Sequence, residues 1–204
     1  MKRQSWHLLI ERLSSCAKIK FASGLSDSEV RDIETRYDFR FPPDLCDFLQ
    51  TALPCGHRFP DWRNGDEAKM RAWLNMPKEG VLFDVHQGFW LPEWGERSSD
   101  RKKAEQHIEK LIADAPKLIP IYAHRMIPAE PHLSGNPVFS VHQTDIIYYG
   151  RDLETYLNVE FLEEGWEKSC TDCRAIDFWN IPRFQEVRWK KNGSYQYGGL
   201  EEDL

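Results

Sequence analysis

The sequence predicts an α+β fold, in which helices flank a central antiparallel β-sheet within a single domain. The stretch 118–150 is dense in β-branched and aromatic residues and is divided by proline and glycine, whereas helix-like periodicity lies on both sides of it. The chain has 204 residues with 41% hydrophobic content, which suits one substantial core. We therefore expect an N-terminal amphipathic helix within 1–23, the α+β domain over 24–180 and a partly frayed C-terminal extension over 181–204.

The centre of the sheet is predicted to be a hairpin. Residues 138–142 alternate between two faces, a two-residue break follows, and residues 145–149 run back. A third short strand is expected over 118–122. Because Pro120 cannot donate a backbone hydrogen bond, this strand should lie at an edge or contain a bulge.

Helix signals flank the sheet. Ser26 and Glu29 have the spacing of a capping box, so a helix should begin just after Ser26. The other predicted helices are an amphipathic one around residues 6–13 and three that begin near residues 43, 100 and 152.

The region 55–85 is predicted to be a polar, aromatic-rich loop, then a short helix over 67–74, then a strand over 80–85. The strand prediction rests on the run Val-Leu-Phe at 81–83, which is apolar without alternation and is typical of a strand buried on both faces. Residues 176–179 are expected to pack as a short helix or strand.

Composition narrows the classes of function. The chain has 33 acidic and 27 basic residues and a net charge of −6, which argues against a nucleic-acid-binding protein and is compatible with a basic protein partner.

The sequence contains no run of about 18 apolar residues, so we predict no membrane span. Glu11 and Arg12 interrupt the N-terminal apolar segment, leaving it too short for an export signal. Five cysteines, an odd number, indicate reduced thiols and a cytoplasmic protein.

Eight short segments occur in an order that resembles one protein family. They are GLSDSEV at 24–30, FRFPPDLCDFL at 39–49, FPDW at 59–62, GVLFDV at 80–85, FWLPEWG at 89–95, LIPIYAHRMIP at 118–128, GNPVFSVHQTDIIYYG at 135–150 and IDFW at 176–179. In this order they resemble the SUKH superfamily, in the Smi/Knr branch of cell-wall assembly regulators, as a bacterial member. The resemblance implies an α+β domain with no known catalytic activity. It implies an immunity protein that neutralises a polymorphic toxin, often a nuclease, or alternatively a regulatory interaction module unconnected with toxins.

An acidic and aromatic segment is the main candidate for a partner-facing surface. Tryptophan anchors surrounded by carboxylates would suit a basic partner such as a nuclease domain. The competing interpretation, which we favour for the tryptophans, is that they are buried, because exposed large aromatic residues are rarer than buried ones. The candidate partner-binding residues are Asp61, Trp62, Asp66, Glu67, Trp73, Trp90 and Trp94.

Polar residues near the predicted strand ends form a second candidate set, which would line a groove. An acid–base interpretation is suggested by His124 next to Arg125, by His86 near Asp84, and by Asp145. No nucleophile motif or glycine-rich phosphate loop accompanies them, so we predict no catalytic residue and no cofactor. The set comprises Asp84, His124, Arg125, Asn136 and Asp145.

Cys170 and Cys173 form a lone Cys-x-x-Cys pair. A structural zinc site needs four ligands, and Cys55 and His57 could supply the other two. Because no second ligand pair stands at zinc-finger spacing, we predict ordinary thiols and no metal.

Overall fold

The computed structural model describes residues 3–165, 172–180, 188–189 and 195–196. Its architecture is α+β, as predicted. In chain order the elements are α1 (Arg3–Ser15), β1 (Lys20–Ser23), α2 (Asp27–Tyr37), α3 (Pro43–Thr51), β2 (Ala52–Cys55), α4 (Glu67–His86), α5 (Arg101–Asp114), β3 (Leu118–Tyr122), β4 (Arg125–Pro128), β5 (Val138–His142), β6 (Asp145–Gly150), α6 (Leu153–Leu162), β7 (Arg188–Trp189) and β8 (Tyr195–Gln196).

The central sheet is a four-stranded antiparallel meander with the order β3-β4-β5-β6. It confirms the predicted hairpin, in which His142 lies opposite Asp145 across the two-residue turn. It also confirms the prediction for the third strand, since β3 is an edge strand with an irregularity between Pro120 and Tyr122. Strand β4 was not predicted; it is four residues long and follows β3 after a turn of two residues, so the sequence offers little periodicity to reveal it.

Both faces of this sheet are buried, because successive residues of its strands enter two different clusters. Ile127 and Val138 belong to the first cluster, together with α1, α2, α3 and α6. Met126 and Phe139 belong to the second, together with α5 and the second half of α4. Helices therefore cover the sheet on both sides.

The N-terminal third builds one wall of the first cluster. Strands β1 and β2 form a separate two-stranded antiparallel sheet, in which Phe21 lies opposite Pro54. Trp6 of α1 packs edge-on against Phe48 of α3, with ring centroids 5.3 Å apart. The capping box of α2 is confirmed, since the Ser26 side chain accepts from Glu29 N and the Glu29 carboxylate accepts from Ser26 N.

The predicted strand over residues 80–85 is wrong. These residues are the second half of α4, a 20-residue helix that also contains the predicted short helix over 67–74. Pro77 and Gly80 look like a break in the sequence, but a packed helix accommodates both. At Gly80 the sheet approaches so closely that a Cβ would lie 2.8 Å from Gln143 Cα.

Helices α5 and α6 begin as predicted, with Asp100 and Asp152 as the capping residues. Residues 176–179 pack into the second cluster through Ile176 and Trp179, but they form a turn and not the predicted short helix or strand. Of the predicted C-terminal extension, only β7 and β8 lie within the described residues, where they pair with each other in antiparallel fashion.

Candidate partner-binding cleft

A surface cleft of about 620 Å³ lies between the small sheet and the first half of α4. The loop 56–66, which connects β2 to α4, forms much of its wall. Three of the predicted partner-binding residues, Asp61, Asp66 and Trp73, line this cleft together. Residues that are up to twelve positions apart in the sequence therefore lie around the same cleft.

Arg63 anchors the loop to the start of α2. Its Nε lies 2.5 Å from Oε1 of Glu29, and its Nη1 and Nη2 donate to the carbonyl oxygens of Ser23 and Gly24 at 3.1 Å and 3.0 Å. The hydrogen bond from Arg63, together with those from Ser26, lowers the pKa of Glu29 to about 2. One carboxylate therefore both caps α2 and holds the cleft loop.

The two acidic residues of the cleft are exposed and locally oriented. Asp61 accepts a hydrogen bond from the backbone N of Asn64 at 2.9 Å, and Asp66 caps α4 by accepting from Lys69 N at 2.9 Å. In both cases Oδ1 is the accepting atom. Glu67 lies beside the cleft but does not line it, and its carboxylate pairs with Arg71.

Aromatic rings extend the cleft towards the central sheet. Trp73 donates from Nε1 to the Ala123 carbonyl at 2.9 Å, which fixes the indole at the β3–β4 turn. Phe59 stands beside Tyr122 and Phe161, with centroid separations of 4.7 Å and 5.8 Å. All four rings are half-buried. We call Phe59, Tyr122 and Phe161 the aromatic cluster.

Two of the candidate tryptophans are buried, as the favoured interpretation expects, so they do not belong to the partner surface. Trp62 is 4% exposed and packs edge-on against Phe41 at 5.2 Å. Trp94 is also 4% exposed and belongs to the second cluster. Trp90, which is half-buried, lies with Trp94 and stacks on His107, away from the cleft lining.

The predicted groove residues have different structural roles. Asp84 accepts hydrogen bonds from Thr144 of the β5–β6 turn. Asn136 is fully buried and donates from Nδ2 to the carbonyl oxygens of Pro128 and Pro131 at 3.0 Å and 2.9 Å. Asp145 is half-buried at the start of β6. Asn136 therefore holds a loop, which corrects its placement in a groove.

His124 and Arg125 lie at the β3–β4 turn and the start of β4. The Arg125 guanidinium contacts His124 Nε2, donates to Ser140 Oγ at 2.9 Å and lies 3.7 Å from the centre of the Tyr149 ring. Its Nε is 3.4 Å from Oε2 of Glu160 on α6. The pKa of His124 is lowered to about 4, chiefly because the ring is partly desolvated and secondly because Arg125 is positively charged.

The proposed zinc ligands are only partly described. Cys55 and His57 are exposed and line the cleft, Cys173 is half-buried, and Cys170 lies outside the described residues. Within the described residues, no group of three or more His, Cys, Asp or Glu side chains is arranged to hold a metal ion.

Sequence reasoning missed the residues that shape the cleft. The sequence does not single out Arg63, because an arginine in a polar loop gives no sign of the distant carboxylate and carbonyls that it binds. The position of Phe161 beside Phe59 depends on tertiary structure, so the sequence does not indicate it.

Among the described helices, none combines the length and the apolar character needed to cross a membrane. Comparisons of the chain with protein-family models, with curated proteins and with solved structures gave no match.

Proposed function

We propose that the chain is a non-catalytic immunity-type protein that neutralises a cognate polymorphic toxin, with a basic nuclease domain as the toxin class. Neutralisation would occur by stoichiometric binding that blocks the toxin's active site. The observation that carries the proposal is the cleft that gathers the exposed carboxylates of Asp61 and Asp66 and the indole of Trp73. The ordered resemblance of eight segments to the SUKH superfamily points in the same direction.

The organisation of the cleft favours binding of a protein. Arg63 fixes the loop and Asp66 fixes the start of α4, so little conformational freedom remains to be lost on association. A tryptophan within a depression is a frequent centre of binding energy, and carboxylates at the rim accelerate association with a basic partner.

The residues best suited to acid–base chemistry have structural partners instead. Asp84 accepts a hydrogen bond from Thr144, and His124 Nε2 contacts the Arg125 guanidinium. A general base would need a reactive group within hydrogen-bond reach. These contacts support a binding protein over an enzyme.

The proposal is tested by co-expression with the toxin genes that neighbour the gene for this chain. We expect growth to be restored with one neighbouring toxin, and a stable complex of equal stoichiometry to be recovered. Killing that persists with every neighbouring candidate would remove the immunity function. Recovery of a housekeeping complex in place of a toxin would favour the regulatory interaction module.

A conservative variant tests the cleft itself. Asp61→Asn keeps the oxygen that accepts from Asn64 N and removes one negative charge from the rim. We expect association with the toxin to slow by about five-fold, with a weaker dependence on salt. Asp114→Asn is the matched control, because Asp114 is exposed at the end of α5 and does not line the cleft. Equal effects of the two substitutions would contradict the assignment of this cleft.

A further inference from the structure

Three exposed basic side chains lie together beside the aromatic cluster. Arg58 belongs to the cleft loop, His124 to the β3–β4 turn and His142 to the end of β5. Backbone hydrogen bonds bring them together: Ala123 N donates to the Arg58 carbonyl at 2.8 Å, and Val141 N donates to the His124 carbonyl at 2.9 Å. We call Arg58, His124 and His142 the cationic rim.

Arg58 carries the positive charge of this rim on a protein of net charge −6, whereas His124, whose pKa is lowered to about 4, is neutral near pH 7 and offers a ring N–H as a donor. The Arg125 guanidinium contacts His124 Nε2. Partial burial of the His124 ring and its electrostatic interactions with Arg125, His142 and Arg58 lower the pKa of His124. Arg125 has its charge offset by Glu160, whereas Arg58 is exposed and lies above the Tyr122 ring at 5.9 Å from its centre. Arg58 therefore presents its guanidinium at the surface next to an aromatic face.

Apolar surface adjoins the rim directly. Tyr122 stands between Phe59 and Phe161, at centroid distances of 4.7 Å and 5.0 Å, and all three rings are half-buried. Aromatic and arginine side chains that occur side by side are typical of the energetic centre of a protein interface. A partner that fits here needs an anionic group and an apolar group at adjacent positions.

We infer that the cationic rim and the aromatic cluster form one contact site for an acidic segment of the protein partner. A carboxylate of that segment binds Arg58 and His124, and the apolar side chain next to it lies against Phe59 and Tyr122. The inference rests on the proposed function, since it names the local chemistry that the partner brings to the surface beside the cleft. A toxin of basic net charge can still supply this carboxylate, because a single acidic residue at the contact is enough.

The probe is a five-residue peptide, acetylated and amidated, with a central phenylalanine flanked by aspartates. Two-dimensional NMR of the full chain would follow the amide and imidazole resonances during titration. We expect binding with shifts confined to residues around 58–59, 122–124 and 142, and a rise in the pKa of His124 on saturation, because a bound carboxylate stabilises the imidazolium. The same peptide with asparagines, or with lysines, should bind at least about five-fold more weakly, a difference of about 1 kcal/mol.

Arg58→Gln tests the rim without disturbing the fold, because Arg58 is exposed and its carbonyl keeps the bond to Ala123 N. We expect about a five-fold loss of affinity for the acidic peptide. Arg151→Gln, an exposed arginine beside Asp152, is the control and should bind like the unchanged chain. Equal binding of the acidic and asparagine peptides, or equal loss in both variants, would overturn the inference. So would inorganic phosphate binding as tightly as the peptide.

The immunity function and the contact site can be disproved independently of each other. A toxin that is neutralised by the chain, with no selectivity for the acidic peptide, removes only the contact site. Peptide selectivity without protection from any toxin supports the contact site and removes the immunity function.

Discussion

Asp84 of α4 accepts two hydrogen bonds from Thr144, one from the backbone N at 3.0 Å and one from Oγ1 at 2.6 Å. Thr144 is 4% exposed, so this carboxylate ties the helix to the inner side of the β5–β6 turn. At the same end of the sheet, Trp73 of the same helix donates to the Ala123 carbonyl in the β3–β4 turn. Helix α4 therefore holds both turns at the end of the sheet where the cationic rim lies.

Removal of the Asp84 carboxylate should destabilise the fold. Asp84→Ala leaves two donors of Thr144 without their acceptor in a buried turn, and hydrogen bonds to a charged group contribute about 1.5–3 kcal/mol each to stability. We expect the free energy of unfolding to fall by about 3 kcal/mol in a urea titration. Glu79→Ala, at an exposed position of the same helix, should change it by less than about 0.5 kcal/mol. A similar loss in both variants would show that the contact to Thr144 is unimportant.

For Gly80→Ala we predict a change in the free energy of unfolding that is opposite in sign to the change expected from helix propensity alone. In an exposed helix, replacing glycine by alanine stabilises by about 1 kcal/mol. Here the added Cβ would lie 2.8 Å from Gln143 Cα, so the helix and the β5–β6 turn would have to move apart. We expect Gly80→Ala to lower the free energy of unfolding by about 1–3 kcal/mol.

Ala72→Gly provides the control for Gly80, since Ala72 is exposed in the same helix. It should cost about 1 kcal/mol from propensity alone. Thermal and urea unfolding of both variants separate the two effects. If Gly80→Ala proves stabilising, the close approach of α4 to the turn does not exist in solution.

This region also shows where the sequence is informative and where it is not. Ser26 with Glu29, and Asp100 and Asp152, define helix starts because capping is a local interaction between residues three positions apart or fewer. The second half of α4 resembles a separate strand in the sequence, because the run at 81–83 is apolar without alternation and because Pro77 and Gly80 usually interrupt helices. Only the packing of α4 against the sheet turns makes a glycine necessary and a proline tolerable there, and that packing has no local signature.

The candidate site could likewise be predicted from the sequence only in part. The acidic segment was recognisable from composition, and Asp61, Asp66 and Trp73 do meet in the cleft. The sequence favours burial of the tryptophans in general but does not indicate which of them is buried, because the burial of Trp62 depends on Tyr37, Phe39 and Phe41 from another part of the chain. The same holds for Arg58 and His124, which become neighbours only when the loop meets the β3–β4 turn.

The pair Arg125–Glu160 should be important for stability. The two side chains are only 12% and 18% exposed, and Arg125 also lies over the Tyr149 ring. Glu160→Ala leaves a mostly buried guanidinium without its counter-charge, which typically costs about 3–5 kcal/mol for a fully buried pair and less here because of residual solvent. We expect a loss of about 2 kcal/mol in urea unfolding.

A double variant checks the interpretation of the pair. Arg125→Met combined with Glu160→Leu removes both charges and keeps the apolar volume, so it should recover much of the stability that Glu160→Ala loses. If the double variant is less stable than Glu160→Ala by a further 2 kcal/mol or so, the cost does not arise from an uncompensated charge.

Glu29 should make the fold sensitive to acid. Its pKa in the folded chain is about 2, below the ordinary value of 4.5, because the carboxylate accepts hydrogen bonds from Arg63 and Ser26. Between these two values the unfolded chain binds the proton and the folded chain does not, so the stabilising contribution is complete above pH 4.5 and is lost as the pH falls towards 2. Glu29→Gln cannot titrate and retains an oxygen for Ser26 N, so its stability should decline less steeply between pH 4.5 and 2. Urea unfolding at a series of pH values measures both slopes, and identical slopes would show that the contact between Arg63 and Glu29 does not hold the cleft loop.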